Sequence, residues 1–216
     1  TSFDGHDFVE RAIAAGAVAA VTERQIADCP CLVVADTGRA LLQIAAWYRS
    51  QFHPILVGVT GSVGKTTTKE MIALVLAAKY HTLKTAGNLN NEIGLPKTLL
   101  QLTADHTAAV IEMGMSEKGE MKRLSTLLSL NAAVMTNIGV SHIEQLGSQE
   151  NILREKWHIT DAITEGGCIF LNGDDVLLKE RADLCRNSYA GVFGKEDNRK
   201  LRICTFGHSA DCDYRA

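Results

Sequence analysis

The stretch ILVGVTGSVGKTTTK, residues 55–69, decides the fold. Ile55, Leu56, Val57 and Val59 make a short β-rich apolar run, Gly61-Ser62-Val63-Gly64 turns sharply, and Lys65-Thr66-Thr67-Thr68 opens a segment of helical apolar spacing. That order reads as strand, phosphate loop and helix start. Glycines at 61 and 64 let backbone N–H groups curl around an anion, and the helix behind them aims its free N–H groups and positive dipole end at the same point. In such a loop Lys65 bridges the β- and γ-phosphates of a nucleotide and Thr66 holds Mg2+. The general pattern G-x-x-x-x-G-K-[ST] is met except at its first glycine, where Val59 stands.

Downstream of this stretch, apolar strands alternate with amphipathic helices, which predicts a mostly parallel sheet covered by helices on both faces. Met71, Ile72, Val75 and Leu76 lie on the helix after the loop, and a strand is expected over 80–84. The polar loop 85–92 leads to Gly94-Leu95-Pro96, which starts a helix whose Leu99, Leu100 and Leu102 pack inward. Strands over 108–111, 132–135, 168–171 and 201–206 follow, with Leu124, Leu127 and Leu128 on one intervening helix. Ser148 caps a helix carrying Ile152, Leu153, Trp157 and Ile159, and Asp174 is placed to cap the helix over 176–184. Upstream, residues 1–53 read as a small α/β piece. A helix through Phe8, Val9, Ala12 and Ile13 is stopped by Gly16, strands are expected over 17–21 and 32–34, and Asp36 or Thr37 caps a helix with Leu41, Leu42, Ile44, Ala45 and Tyr48 on one face. His53-Pro54 ends that helix, so the expected domains are 1–53 and 54–216.

Chemistry-bearing residues fall at the predicted C-terminal ends of the strands, where open α/β sheets bind ligands. Glu112 ends the 108–111 strand, where nucleotide-binding folds place a carboxylate for Mg2+; the alternative is a solvated strand-end acid. His142 follows the 132–135 strand on the same edge, Asn172-Gly173-Asp174-Asp175 follow the 168–171 strand, and Lys156 lies on the intervening helix, where by itself it would be a surface lysine. Trp47 and Trp157 are most simply packing residues.

Composition narrows the field. The 216 residues are 46% apolar, enough for a core, and the net charge of −3 without a basic run argues against nucleic acid. No apolar stretch has bilayer-spanning length and the N-terminus carries no signal pattern, so the expectation is a cytoplasmic protein not inserted in a membrane. Six cysteines without C-x-x-C or His/Cys metal spacing read as free thiols of a reducing compartment. Neither end of the chain looks like a natural domain terminus, which suggests a piece of a longer protein.

These residues resemble the Mur ligase family, the ATP-dependent amide-forming enzymes of peptidoglycan synthesis. Residues 60–68 are similar to the family's own form of the phosphate loop, which accounts for Val59. Asp4-Gly5-His6-Asp7-Phe8, residues 87–96, Glu112-Met113-Gly114-Met115 and residues 137–148 resemble in particular the type that adds D-alanyl-D-alanine to UDP-N-acetylmuramoyl-tripeptide. The resemblance implies that Gly61, Ser62, Gly64, Lys65, Thr66 and Thr67 hold ATP, with Asn172 and Asp175 near the adenine. It implies two Mg2+ ions, the first on Thr66 and Glu112, the second on His142 and on Lys156 carbamylated by CO2. Asn88, Asn90 and Asn91 would face the acceptor substrate. The reaction implied runs through an acyl phosphate, in a monomer, with the first domain binding the UDP substrate. The family has three domains, so a chain holding part of the first and most of the second is expected to be inactive alone. Another amino-acid ligase of the family and a non-catalytic nucleotide-binding fragment remain alternatives. A GTPase would need an Asn-Lys-x-Asp element, which the sequence lacks.

Overall fold

The computed structural model describes residues 4–187 and 201–215. Two compact units divide the chain, residues 1–44 and 45–216.

In the first unit a 3-10 turn, Gly5–Phe8, runs into α1 (Val9–Ala14), and β1 (Ala20–Thr22) pairs in parallel with β2 (Cys31–Val33). The strand expected over 17–21 is thus shorter and begins at Ala20. α2 (Thr37–Ser50) starts in this unit. Of the two expected caps Asp36 does the work, its Oδ1 accepting from the Arg39 N–H at 2.8 Å. The division falls at 44/45 rather than at 53/54. In the second half of α2, Tyr48 donates its hydroxyl to Leu102 O and Arg49 donates to Ser129 Oγ, so that half belongs by its bonds to the second unit. Trp47 is 66% exposed and does not pack into a core.

The second unit is a seven-stranded sheet in the order β4-β5-β3-β6-β7-β8-β9, with every pairing parallel. Its strands are β3 (Ile55–Thr60), β4 (Thr82–Lys84), β5 (Ala108–Glu112), β6 (Leu130–Met135), β7 (Ile163–Asn172), β8 (Arg202–Gly207) and β9 (Tyr214–Arg215). The flanking helices are α3 (Lys65–Ala77), α4 (Gly94–Leu99), α5 (Glu120–Ser125), α6 (Ile143–Leu146), α7 (Gln149–Trp157) and α8 (Val176–Asn187). Ala108 to Ile111 are completely buried, as a continuous apolar run in a parallel sheet requires. α3 packs through Ala73, with Ile72 and Leu76, onto Val59 and Val110, while its Met71, Leu74 and Val75 are exposed. Leu99 and Leu102 are buried as expected, but Leu100, at 37% exposure, is not. Among the described residues no helix is long and apolar enough to cross a membrane, and all six cysteines are free.

Register places the site. Val59 lies opposite Glu112 and Thr60 opposite Met135, and Met135 lies opposite Leu171. The ends of β3, β5, β6 and β7 therefore lie along one edge. After β3 the chain steps away to β4 and returns as β5 on one side, while β6 lies on the other, so β3 sits at the topological switch where such sheets bind ligands.

Candidate functional site

The loop leaving β3 is held in one conformation by residues far away in sequence. Gly61 has φ +144°, and a Cβ there would come within 1.9 Å of the Thr136 hydroxyl, so only glycine fits. The Thr136 hydroxyl donates to Val63 O at 2.6 Å, Asn137 Oδ1 accepts from the Ser62 and Val63 N–H groups, and Ser62 Oγ accepts from the Gly139 N–H. Two loop amides are thereby taken. The N–H groups of Gly64, Lys65, Thr66 and Thr67, at the start of the 13-residue α3, carry no bond to described residues. They form an anion-binding surface.

Lys65 Nζ donates to Gly61 O at 2.9 Å and Ser62 O at 3.4 Å, and burial lowers its pKa against the opposing pull of Glu112. Lys156, on α7, is only 1% exposed. Burial, with the Lys65 charge second, brings its pKa down to about 7, while Glu155 acts the other way. Among the described residues nothing forms a hydrogen bond or ion pair with its amine. Two lysines in electrostatic contact and without a carboxylate bonded to either make a place for an anion.

Glu112 is buried at the end of β5. Its N–H donates to Thr85 Oγ1, its Oε1 accepts from Asn90 Nδ2 at 2.7 Å, and its Oε2 is buried with no hydrogen bond, 3.8 Å from Lys69 Nζ. An orphaned carboxylate oxygen beside a phosphate-type loop fits Mg2+, which takes one or two carboxylates and otherwise relies on phosphate and water. No group of three His, Cys, Asp or Glu side chains able to hold a metal is present among the described residues. A site for a second ion is therefore not assembled from these side chains alone. A Lys156 pKa brought down to about 7 does fit carbamylation, because only an unprotonated amine attacks CO2 and a large share of this amine is unprotonated near neutrality.

The other expected site residues divide. His142 follows β6 as an exposed residue with φ +64°, the left-handed conformation that is costly without glycine, and its ring has no hydrogen bond among the described residues. Asn90 reaches Glu112, whereas Asn91 Oδ1 accepts from the Ile93 and Gly94 N–H groups at the start of α4. Asn88 is exposed, as are Thr66 and Thr67. Asn172 Nδ2 donates to Thr136 O, and Asp175 accepts from the Ile138 N–H and, at the start of α8, from the Leu178 N–H. Asp175 rather than Asp174 is thus the helix cap. Asp174 accepts instead from the His208 and Ser209 N–H groups beyond β8, because the parallel β7–β8 pairing brings that turn beside it.

Lys69, Thr85, Thr136 and Asn137 are functional-site residues that the sequence reading did not assign. A signal existed for Lys69: it lies four residues after Lys65 and four before Ala73, on the face α3 buries.

Residues 59–212 match the Mur ligase middle domain. The chain is 46% identical over 194 residues to the UDP-N-acetylmuramoyl-tripeptide–D-alanyl-D-alanine ligase of Bacillus subtilis (strain 168), covering 88% of this chain and 42% of that protein. Among solved structures, MurF from Acinetobacter baumannii superposes with a TM-score of 0.84 at 34% identity, over 99% of this chain and 44% of that one. MurF ligase from Thermotoga maritima, crystallised in complex with ADP, gives 0.81 at 31% identity over 96% and 45%. The chain thus spans about two fifths of these relatives' length.

Proposed function

The chain belongs to the Mur ligase family, and on that premise we propose that it is part of the enzyme that uses ATP to join D-alanyl-D-alanine to UDP-N-acetylmuramoyl-tripeptide. The observation that carries this reading is the pair of lysines in electrostatic contact, Lys65 and Lys156, left without a bonded carboxylate, with Glu112 acting on Lys65 at the switch point of the sheet. A nucleotide polyphosphate and a substrate carboxylate are the anions such a place accepts. The Bacillus subtilis relative is named for this reaction, and the Thermotoga maritima MurF ligase was solved in complex with ADP, which supports the reading.

In this reading the free N–H groups of residues 64–67 receive the β-phosphate, and Lys65 leaves Gly61 O and Ser62 O to lie across the β- and γ-phosphates. The γ-phosphoryl group passes to the terminal carboxylate of the tripeptide, which converts a poor acyl donor into an acyl phosphate. The dipeptide amine then attacks, and phosphate departs from the tetrahedral intermediate. Negative charge builds where Lys65 stands ready to meet it. Glu112 and the Thr66 hydroxyl would hold Mg2+, which would supply charge neutralisation on the polyphosphate. Lys156 as its carbamate would turn a repulsive neighbour of Lys65 into an attractive one and, with His142, would supply ligands for a second ion. Asn90 orients Glu112, Asn88 and Asn91 lie toward the acceptor, and Asn172 and Asp175 fix the edge that meets the adenine. The first unit is read as part of the UDP-substrate-binding domain, and the second as part of the ATP-binding domain. The enzyme is placed in the cytoplasm and acts as a monomer.

Calorimetric titration with Mg2+-ATP and Mg2+-GTP, repeated on Lys65→Ala, tests the nucleotide half of this reading. ATP binding that the substitution abolishes, with GTP silent, is expected; equal binding of both nucleotides, or ATP binding indifferent to Lys65, overturns it. For the carbamate, 13C-bicarbonate should give a carbamate resonance that Lys156→Ala removes.

A further inference from the structure

Behind the phosphate loop lies a third lysine, one that the reaction as described does not use. Lys69 is completely buried, a costly position for an ammonium group unless it is paired. Its Nζ donates to Thr85 O at 2.7 Å and lies 3.1 Å from Glu70 Oε1 and 3.8 Å from Glu112 Oε2. Glu70 is in turn shared with Lys84, which bonds its other oxygen. The Glu112 carboxylate therefore has a fixed cation close to its orphaned oxygen, and the Lys65 charge acts on it from the loop side.

We propose that Lys69 is a positioning residue that acts as the built-in countercharge of Glu112, so that a divalent cation binds there together with a nucleotide polyphosphate and not before it. The inference rests on the reading of Glu112 as the carboxylate for Mg2+. Three groups converge: α3 supplies Lys69, the end of β4 supplies Thr85, and β5 supplies Glu112, whose N–H is tied to Thr85 Oγ1. Glu112 is flanked by Lys65 and Lys69, and Glu70, which shares Lys69, has Lys84 as its own partner, so the group presents no net negative charge to a dication; Asn90 Nδ2 occupies Oε1 with a hydrogen bond. A polyphosphate along the loop reverses that balance, and only then does the free Oε2 become a favourable ligand. Glu112 is held in place throughout, without trapping metal in the resting enzyme. A lysine at this point thus couples two ligands rather than merely filling space.

The test is Mn2+ binding followed by electron paramagnetic resonance on the full-length protein, without nucleotide and with ATP. The wild type is expected to bind Mn2+ at the Glu112 site only with ATP. Lys69→Met should bind Mn2+ without nucleotide about tenfold more tightly or better, a gain that Glu112→Gln cancels and that Lys69→Arg does not reproduce. A folded Lys69→Met protein whose nucleotide-free Mn2+ affinity matches the wild type overturns the proposal. Should Lys69→Met fail to fold, the wild type decides: tight Mn2+ binding without nucleotide that Glu112→Gln removes overturns the proposal, and its absence together with ATP-dependent binding supports it. A wild-type protein that binds no ATP at any Mn2+ concentration overturns the functional reading as well, whereas intact ATP binding with unchanged Mn2+ coupling in Lys69→Met overturns the countercharge alone.

Discussion

Two polar clusters in this molecule are built from similar residues and do opposite things. In the first unit, Asp4, His6, Glu23, Arg24 and Thr37 close on one another: His6 Nδ1 pairs with Asp4 Oδ1, His6 Nε2 accepts from the Glu23 N–H, Arg24 bonds Asp4 Oδ2, and Glu23 Oε1 accepts from the Thr37 N–H and hydroxyl. The His6 N–H, then Arg24, hold the Asp4 carboxyl well below the usual carboxylate range. Every ring nitrogen has an answer, so the cluster is a clasp. In the second unit the groups around the loop are left open: Lys65 and Lys156 have no bonded carboxylate, one oxygen of Glu112 has no hydrogen bond, and a row of amides is free. A fold that completes its polar groups stabilises itself; one that leaves them incomplete holds a place for something else.

That contrast can be broken at four points. Gly61→Ala should cost most, because it forces both a left-handed backbone on a Cβ residue and a clash with Thr136; a loss of about 3 kcal/mol or more in chemical denaturation is expected, together with ATP binding. Lys65→Ala should lower Mg2+-ATP affinity about 100-fold in calorimetry while leaving the melting temperature nearly unchanged. If the protein instead unfolded, Lys65 would belong with the clasp.

Lys156→Met should act in the opposite direction on stability. The folded pKa is about 7 against an ordinary 10.5, so between these values the unfolded chain binds the extra proton and stability rises with pH, being lowest below pH 7. Replacing the lysine should remove that rise and stabilise the protein near neutrality by roughly 1–2 kcal/mol, while abolishing ligation. Denaturation curves from pH 6.5 to 10, taken as the difference between the two proteins, check it; a slope unchanged in Lys156→Met would show that another group titrates. His6→Ala should have the smallest effect, about 1 kcal/mol, seen as faster amide exchange around Glu23, with ATP affinity untouched. An altered ATP affinity would give the clasp a part in binding.

The sequence reading treated both clusters as motif, since Asp4-Gly5-His6-Asp7-Phe8 carried the family resemblance as much as the loop did. What separates them is satisfaction of polar groups, which no spacing reveals. Ser148 as a cap was legible because the bond it makes spans three residues. The exchange of Asp174 for Asp175 was not, because the partners of Asp174 lie 34 and 35 residues on and those of Asp175 include one 37 residues back.

By itself the sequence determined the parallel α/β sheet, the phosphate loop, and the lysine, threonine and glutamate at its strand ends, because apolar periodicity, glycine placement and strand-end position are local properties of the chain. Only the tertiary structure decided that Lys69 and Lys156 are buried, that Asn137 and Thr136 grip the loop from more than 70 residues away, and that one oxygen of Glu112 is left without a partner. Those facts depend on which strands lie side by side and on what the packed elements exclude from water.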